Sequence, residues 1–100
     1  MLPAALDIPL DRITGFCQRH GIARLSLFGS VLRDDFTPQS DVDVLVEFQP
    51  GRTPDFFDMA HMQDELAAIF GHQVDLRTPR DLSKHFRDQV LAGARVLHAA

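Results

Sequence analysis

Residues 25–48 read LSLFGSVLRDDFTPQSDVDVLVEF, and this stretch decides the fold. The segment from Arg24 to Phe28 alternates in polarity and then meets Gly29-Ser30, which predicts a short strand that turns sharply into a helix. The segment from Asp41 to Phe48 predicts a second strand, because it is rich in valine and alternates. Two strands, connected through the Gly29-Ser30 turn and a helix, are therefore the centre of the expected fold.

The second predicted strand carries two acids on one of its faces. Side chains alternate along a strand, so one face is apolar and consists of Val42, Val44 and Val46. The other face holds Asp41, Asp43 and Leu45, with the acids about 6.6 Å apart along the backbone. Two ionised carboxylates repel unless a cation lies between them, and Mg²⁺ prefers carboxylate oxygens. The pattern favours a metal site over a solvated strand start.

The flanking sequence predicts further helices and strands in alternation. In chain order these are a helix over about residues 8–20, a long helix with Thr53 as N-cap and Pro54 as first residue, a strand at 72–77, a helix capped by Thr78-Pro79 with Leu82, Phe86 and Val90 on its apolar face, and a strand at 95–98. We expect an α/β (α+β) fold, a small mixed sheet of about four strands flanked by helices, in a single domain over residues 1–100.

Composition excludes several classes of protein. There are 14 acidic and 10 basic residues, a formal net charge of −4 and a pI near 5.6, which disfavours stable binding to a nucleic-acid backbone. The sequence has no apolar run of membrane-spanning length and no secretory signal pattern, which predicts a cytoplasmic protein without a membrane partner. The single Cys17 is expected as a buried hydrophobe, and the five histidines as surface or partly buried structural residues.

Two further features carry chemistry beside the paired acids. Asp75 stands between Val74 and Leu76, and if its strand pairs beside the Asp41 strand, three carboxylates converge. Two metal ions held by such acids stabilise the attacking and leaving oxygens of a phosphoryl displacement, although a lone acid in a strand is equally often a surface residue. Gly29-Ser30 offers backbone N–H groups and a hydroxyl to an anion, or serves only as a capped turn.

The spacing of Gly29, Ser30, Asp41 and Asp43, with a later apolar-acid-apolar strand at Asp75, resembles the minimal nucleotidyltransferases of the DNA polymerase β superfamily. The resemblance extends over nearly the whole chain. It implies that Gly29 and Ser30 hold the triphosphate of an incoming nucleotide. It also implies that Asp41 and Asp43 bind two Mg²⁺ ions, and that Asp75 binds one of them and helps to deprotonate the attacking hydroxyl.

The resemblance further implies a partner and an acceptor. Within that superfamily the chain resembles the antitoxin of two-gene modules whose toxin is a helical HEPN ribonuclease. Such antitoxins are associated with the transfer of AMP from ATP to a tyrosine hydroxyl of the toxin. A chain this short has no acceptor-binding domain, which agrees with an acceptor on another protein. Two other functions stay open: a catalytically idle antitoxin that neutralises the toxin by binding, and a transferase that acts on a small-molecule hydroxyl.

Several residues near these motifs have two interpretations. Arg33 and Arg77 can contact phosphate, because guanidinium groups match its geometry, or can serve as surface ion pairs. Arg33-Asp34 stands where many relatives have Arg-Gly, so the shape of this loop is open. A last set forms an apolar helix face that is most simply core, with any excess available to a partner: Phe56, Phe57, Met59 and Met62.

Overall fold

The computed structural model describes residues 6–33 and 35–100. The helices are α1 (Leu10–His20), α2 (Phe56–Phe70) and α3 (Lys84–Gly93), and the strands are β1 (Ile22–Phe28), β2 (Val42–Phe48), β3 (Val74–Arg77) and β4 (Arg95–Ala99). Two short 3₁₀ segments complete the fold: Gly29–Leu32, which we call the Gly29 turn, and Pro79–Asp81, which we call the Pro79 turn. In the described part of the chain, no helix has the length and hydropathy needed to cross a bilayer.

The four strands form one mixed sheet in the order β3-β2-β1-β4. Strand β1 runs antiparallel to both β2 and β4, whereas β2 and β3 are parallel. A parallel pair needs a crossover connection, and α2 provides it between the end of β2 and the start of β3. The predicted fold class, a small mixed sheet of four strands with helices, is confirmed.

The two faces of the sheet are covered unequally. The apolar face of β2, with Val42, Val44 and Val46, belongs to the main core together with residues of α1 and α2. Cys17 lies in this core with no exposed surface, as expected, and its burial raises the pKa of the thiol to about 11. The opposite face has a smaller cluster of Phe28, Leu45, Leu82 and Val90. The thinly covered face is the one that carries Asp43.

The main helix ends differ from the predicted ones for local reasons. Helix α2 begins after Asp55 and not at Thr53-Pro54, because Asp55 and Asp58 form a reciprocal capping box. Its first turn lies outside the core, so Phe56 and Phe57 are 81% and 72% exposed, and the prediction of core for these two was wrong. Met62, five residues after Phe57, is buried as expected.

The third predicted helix is divided in two. Thr78 caps the Pro79 turn through Asp81, and this turn ends before α3 begins at Lys84 with Ser83 as N-cap. Leu82 and Val90 are buried as predicted, but Phe86 is 49% exposed. Phe86 therefore lies outside the core although it shares the helical spacing of Leu82 and Val90, because α3 packs on the sheet through the small second cluster.

Candidate functional site

The turn after β1 is built around glycine. Gly29 has φ +75°, a conformation that side chains with a Cβ rarely adopt, and an added Cβ would overlap the Asp43 carboxylate, whose Cγ lies 3.1 Å from that position. The helix predicted to follow Gly29-Ser30 is only a four-residue 3₁₀ segment, closed by the Arg33 N–H donating to the Ser30 carbonyl at 2.9 Å. So short a segment has little macrodipole, and any anion here must rely on free N–H groups and the Ser30 hydroxyl.

Asp43 sits at the centre of the site. It lies opposite Phe28 in the antiparallel pair of β1 and β2, which places its carboxylate against Gly29. Burial raises its pKa most, and the charges of Asp75 and Asp41 raise it further. A hydrogen bond from the Ser30 backbone N–H and the charge of Arg77 lower the pKa, but the net shift is upward. Asp43 therefore lies near two other acids, and the Ser30 hydrogen bond and the charge of Arg77 do not fully offset their repulsion and its burial.

Asp75 lies beside Asp43 because β2 and β3 pair in register. The parallel ladder aligns Asp43 with Asp75 and Val42 with Val74. The strand of Asp75 therefore pairs beside the strand of Asp43, as convergence of the acids requires. The carboxylate of Asp75 accepts a hydrogen bond from Arg77 Nε at 3.1 Å. Arg77 is thus an ion-pair partner of a candidate catalytic acid, the second of its two predicted interpretations.

Asp41 enters the site from a structured loop. It precedes β2 and is exposed, directly after a turn in which Ser40 Oγ accepts from the Thr37 N–H at 3.0 Å. The Ser40 N–H donates to the Thr37 carbonyl at 2.9 Å, and this closes the same turn. The loop therefore leaves Asp41 exposed, yet near enough to Asp43 for its charge to raise the pKa of that partly buried acid.

Arg33 pairs with an acid that the sequence analysis did not consider. Its Nε donates to Asp35 Oδ1 at 3.2 Å, and both side chains are well exposed. Such a pair contributes little to stability, so the guanidinium can exchange Asp35 for phosphate at small cost. Asp34, on which the predicted shape of this loop depended, lies outside the described residues.

One cleft of about 830 Å³ joins these groups, within the range of small-molecule sites. Gly29, Ser30, Arg33, Asp43 and Asp75 line it on the sheet side. Of the predicted site residues in the described chain, only Asp41 is not part of its lining. Asp43, Asp75 and the Gly29 turn thus face the same space, at the thinly covered side of the sheet.

The opposite wall of the cleft was missed by sequence reasoning. It is formed by the Pro79 turn and α3, and its polar and aromatic members include Asp81, Ser83, Phe86 and Gln89. The spacing of Thr78 and Asp81 is that of a capping box and could have predicted the turn. Phe86 carried no such signal, because its helical spacing from Leu82 and Val90 is equally typical of a core residue.

The candidate ligands are of the type that Mg²⁺ prefers, but they do not surround one common position in this structure. The three candidate ligands are carboxylates, and the pKa of Asp43 is raised by the charges of the other two, which is the repulsion that a bound divalent cation would relieve. Among residues 6–33 and 35–100, no three His, Cys, Asp or Glu side chains form a ready metal cluster. Arg77 Nε donates to Oδ2 of Asp75, so the other carboxylate oxygen, Oδ1, can join Asp43 at an ion while this pair persists.

Comparison with known proteins gives a family match over most of the chain. Residues 11–98 match the model of the nucleotidyltransferase domain family. A candidate protein adenylyltransferase of Methanocaldococcus jannaschii is 34% identical over 73 residues, which cover 73% of this chain and 76% of that protein. The protein adenylyltransferase MntA of Thermococcus cleftensis is 31% identical over 74 residues, or 74% of this chain and 73% of the relative. Across five such relatives, the chain spans 58% to 76% of their length.

Solved structures give the same fold. A structure described as a candidate minimal nucleotidyltransferase has a TM-score of 0.70 at 38% identity and covers 85% of each chain. A toxin-antitoxin crystal structure with AMP-PNP has a TM-score of 0.74 at 22% identity, over 93% of this chain and 75% of the other. A tri-AMPylated Shewanella oneidensis HEPN toxin in complex with MNT antitoxin has a TM-score of 0.65 at 22% identity, over 91% and 70%. At 22% identity the last two show the fold alone, and together these matches confirm the predicted resemblance.

Proposed function

Because this chain belongs to the nucleotidyltransferase domain family, we propose that it transfers AMP from ATP to a hydroxyl of a cognate HEPN-type toxin and so acts as its antitoxin. The observation that carries the proposal is the pairing of Asp43 with Asp75 across β2 and β3, directly beside the Gly29 turn in one cleft. The protein adenylyltransferase relatives and the AMPylated toxin of a structural neighbour support the choice of AMP and of a protein acceptor.

In the proposed reaction, the acceptor hydroxyl oxygen attacks the α-phosphorus of ATP, and the bond to the bridging oxygen of the β-phosphate breaks, so that pyrophosphate leaves. The Ser30 hydroxyl, free N–H groups of the Gly29 turn and Arg33 would bind the triphosphate. Asp41, Asp43 and Asp75 would hold two Mg²⁺ ions. When bound, those ions neutralise the charge that develops on the attacking and leaving oxygens. Asp75, at the cleft wall, would also help to remove the hydroxyl proton, and tyrosine is the proposed acceptor.

The raised pKa of Asp43 supports this assignment. Protein folding alone gains nothing from placing an acid in a partly buried position beside two other acids, and the arrangement costs stability when all are ionised. Perturbed acids in a cleft are a common mark of functional sites. We further propose that the reaction takes place in the cytoplasm, where ATP and Mg²⁺ are available.

The decisive experiment follows label from α-labelled ATP with Mg²⁺ to the purified partner toxin, and compares it with label from γ-labelled ATP. AMP transfer predicts a labelled toxin in the first reaction and an unlabelled toxin in the second. A toxin that is neutralised by this chain but stays unlabelled in both reactions would favour the idle antitoxin. Label that passes to an aminoglycoside or similar hydroxyl compound, and not to the toxin, would favour the small-molecule transferase.

Replacement of Asp75 should separate chemistry from binding. Asp75→Asn removes a carboxylate needed for the hydroxyl and one exposed ion pair, whereas Asp41 and Asp43 remain for the nucleotide. We expect ATP–Mg²⁺ affinity and toxin affinity to stay near those of the wild-type protein, while single-turnover transfer falls by about 100-fold, because the lost interaction acts in the transition state.

Asp64→Asn is the matched control for Asp75→Asn, since Asp64 is an exposed acid of α2 outside the cleft. It should transfer AMP at the wild-type rate. Wild-type transfer by Asp75→Asn would remove Asp75 from the chemistry. Loss of toxin binding together with a lower melting temperature would instead make Asp75 a structural residue.

A further inference from the structure

We propose that α3 forms the base-binding wall of the nucleotide site, with the Phe86 ring stacked on the base and the Gln89 amide selecting adenine. The inference rests on the proposed function, because it concerns the nucleotide of that same cleft. It assigns the nucleoside end of the substrate to residues of α3, opposite the acids and the Gly29 turn.

The cleft has two chemically different walls. The sheet side carries the acids, arginines and the Gly29 turn, which suit metal ions and phosphates. The α3 side presents Phe86, Gln89 and Gly93, which follow one another at intervals of three and four residues and therefore lie on one face of the helix. An elongated substrate with a charged end and a flat aromatic end matches this division.

Helix α3 is held in place by residues next to the catalytic groups. Its Val90, with Leu82 just before the helix, packs against Phe28 and Leu45 in the second core cluster. Phe28 directly precedes Gly29, and Leu45 is two positions after Asp43 on the same face of β2. The position of α3 is therefore coupled to that of the Gly29 turn and Asp43, as is required of a wall that binds the same ligand.

Core packing does not account for Phe86. The ring is 49% exposed and belongs to neither core cluster, although Leu82 and Val90, four residues away on each side, are buried. An exposed aromatic ring in a cleft is a platform on which a nucleobase can stack. Gly93, about two turns further along the same face, has no atom within 4 Å of the place where a Cβ would lie, so that part of the wall is open.

Gln89 adds base selectivity to this platform. A carboxamide both donates and accepts, so it can pair bidentately with adenine, which presents N6–H as donor and N7 as acceptor. Guanine presents two acceptors at the corresponding edge, O6 and N7, and leaves the carbonyl oxygen of Gln89 without a donor. The Gln89 side chain is exposed and lines the cleft three residues from Phe86, within reach of a base stacked there.

The test uses calorimetric titration of the full chain with Mg²⁺ and three probes: ATP, GTP and inorganic tripolyphosphate, which has no base. Phe86→Ala should weaken ATP binding by about 5- to 150-fold and leave tripolyphosphate binding unchanged. Phe86→Tyr, which keeps a ring, should restore ATP affinity. Phe57→Ala removes an even more exposed ring outside the cleft and should change neither affinity.

Selectivity is tested in the same way with Gln89→Leu, which should reduce the ratio of ATP to GTP affinity toward one without changing tripolyphosphate binding. Gln18→Leu, an exposed position on α1, is its control. If Phe86→Ala and Phe57→Ala change ATP affinity equally, or if Gln89→Leu leaves the ratio of ATP to GTP affinity unchanged, the assignment of α3 as the base-binding wall is overturned, but the proposed function is not. A wild-type protein that binds neither nucleotide nor tripolyphosphate would overturn the proposed function itself.

Discussion

Asp43→Asn should reduce AMP transfer to the toxin by about 100- to 1,000-fold, the range seen when one group that stabilises transition-state charge is removed. The amide keeps the size of the side chain and can still accept from the Ser30 N–H, but it lacks the charge that would bind Mg²⁺. Asp41→Asn should have an effect in the same direction, although Asp41 is exposed and does not line the cleft. The measurement is the initial rate of label transfer from α-labelled ATP.

The same Asp43→Asn variant should unfold at a higher temperature than the wild-type protein at neutral pH without added metal. The folded state raises the pKa of Asp43, so the protonated acid favours folding and this contribution disappears as the pH rises through the folded pKa. The neutral amide avoids that loss. The gain in melting temperature should therefore shrink as the pH falls through the raised pKa of Asp43, and should be absent below the usual range of aspartate pKa values.

Asp64→Asn serves again as the control, since it removes one negative charge from the exposed surface of α2. It should alter neither the transfer rate nor the pH dependence of melting. Full transfer activity in both Asp41→Asn and Asp43→Asn would contradict the metal-binding assignment. A melting temperature that falls in Asp43→Asn at neutral pH would show that the carboxylate stabilises the fold.

Substitution of Gly29 should damage both folding and nucleotide binding. Gly29→Ala introduces a Cβ at φ +75°, which costs about 1 to 2 kcal/mol, and forces that Cβ into the Asp43 carboxylate, which adds roughly 1 to 3 kcal/mol. Relief of the overlap must move either the turn or the acid. We therefore expect a lower free energy of unfolding together with weaker binding of ATP–Mg²⁺ and of tripolyphosphate, while Gly29→Val should be worse on both measures.

Gly51 offers a control that separates strain from overlap. Its φ is +85°, but no atom lies within 4 Å of a Cβ added there. Gly51→Ala should lose only about 1 to 2 kcal/mol in denaturant unfolding and should bind ATP–Mg²⁺ normally. Equal losses of stability in the two variants, with nucleotide binding intact in Gly29→Ala, would mean that Gly29 is no more than a turn residue.

The strand patterns were sufficient to predict which face of β2 carries its acids, but not that β2 and β3 are neighbours. Alternation in β2 separated the three valines from Asp43, and the structure buries the former and leaves the latter at the cleft. The pairing of Asp43 with Asp75 followed once the two strands were taken as neighbours. These predictions rest on the period of two along a strand, which does not depend on distant parts of the chain.

The predictions that the structure did not confirm concern features that depend on tertiary contacts. Phe86 and Phe57 have the spacing of core residues, but the sheet is too small to cover every apolar position of α2 and α3. The hydrogen bond from Arg77 to Asp75 joins two residues of one strand face, and no pattern distinguishes it from a phosphate contact. The short turn at Gly29 replaced a predicted helix, because a glycine followed by serine is compatible with either.

The parallel pairing of β2 with β3 also dictates when the site comes into existence during synthesis of the chain. Strands β1 and β2 are neighbours in sequence and can form a hairpin early, but Asp75 reaches Asp43 only after α2 has been made and has folded back across the sheet. A nascent chain that has not yet released residue 75 from the ribosome carries the Gly29 turn and two acids without the third. On the proposed role of Asp75, a chain that has not yet formed β3 should bind the triphosphate poorly or not at all in a productive geometry and should not transfer AMP.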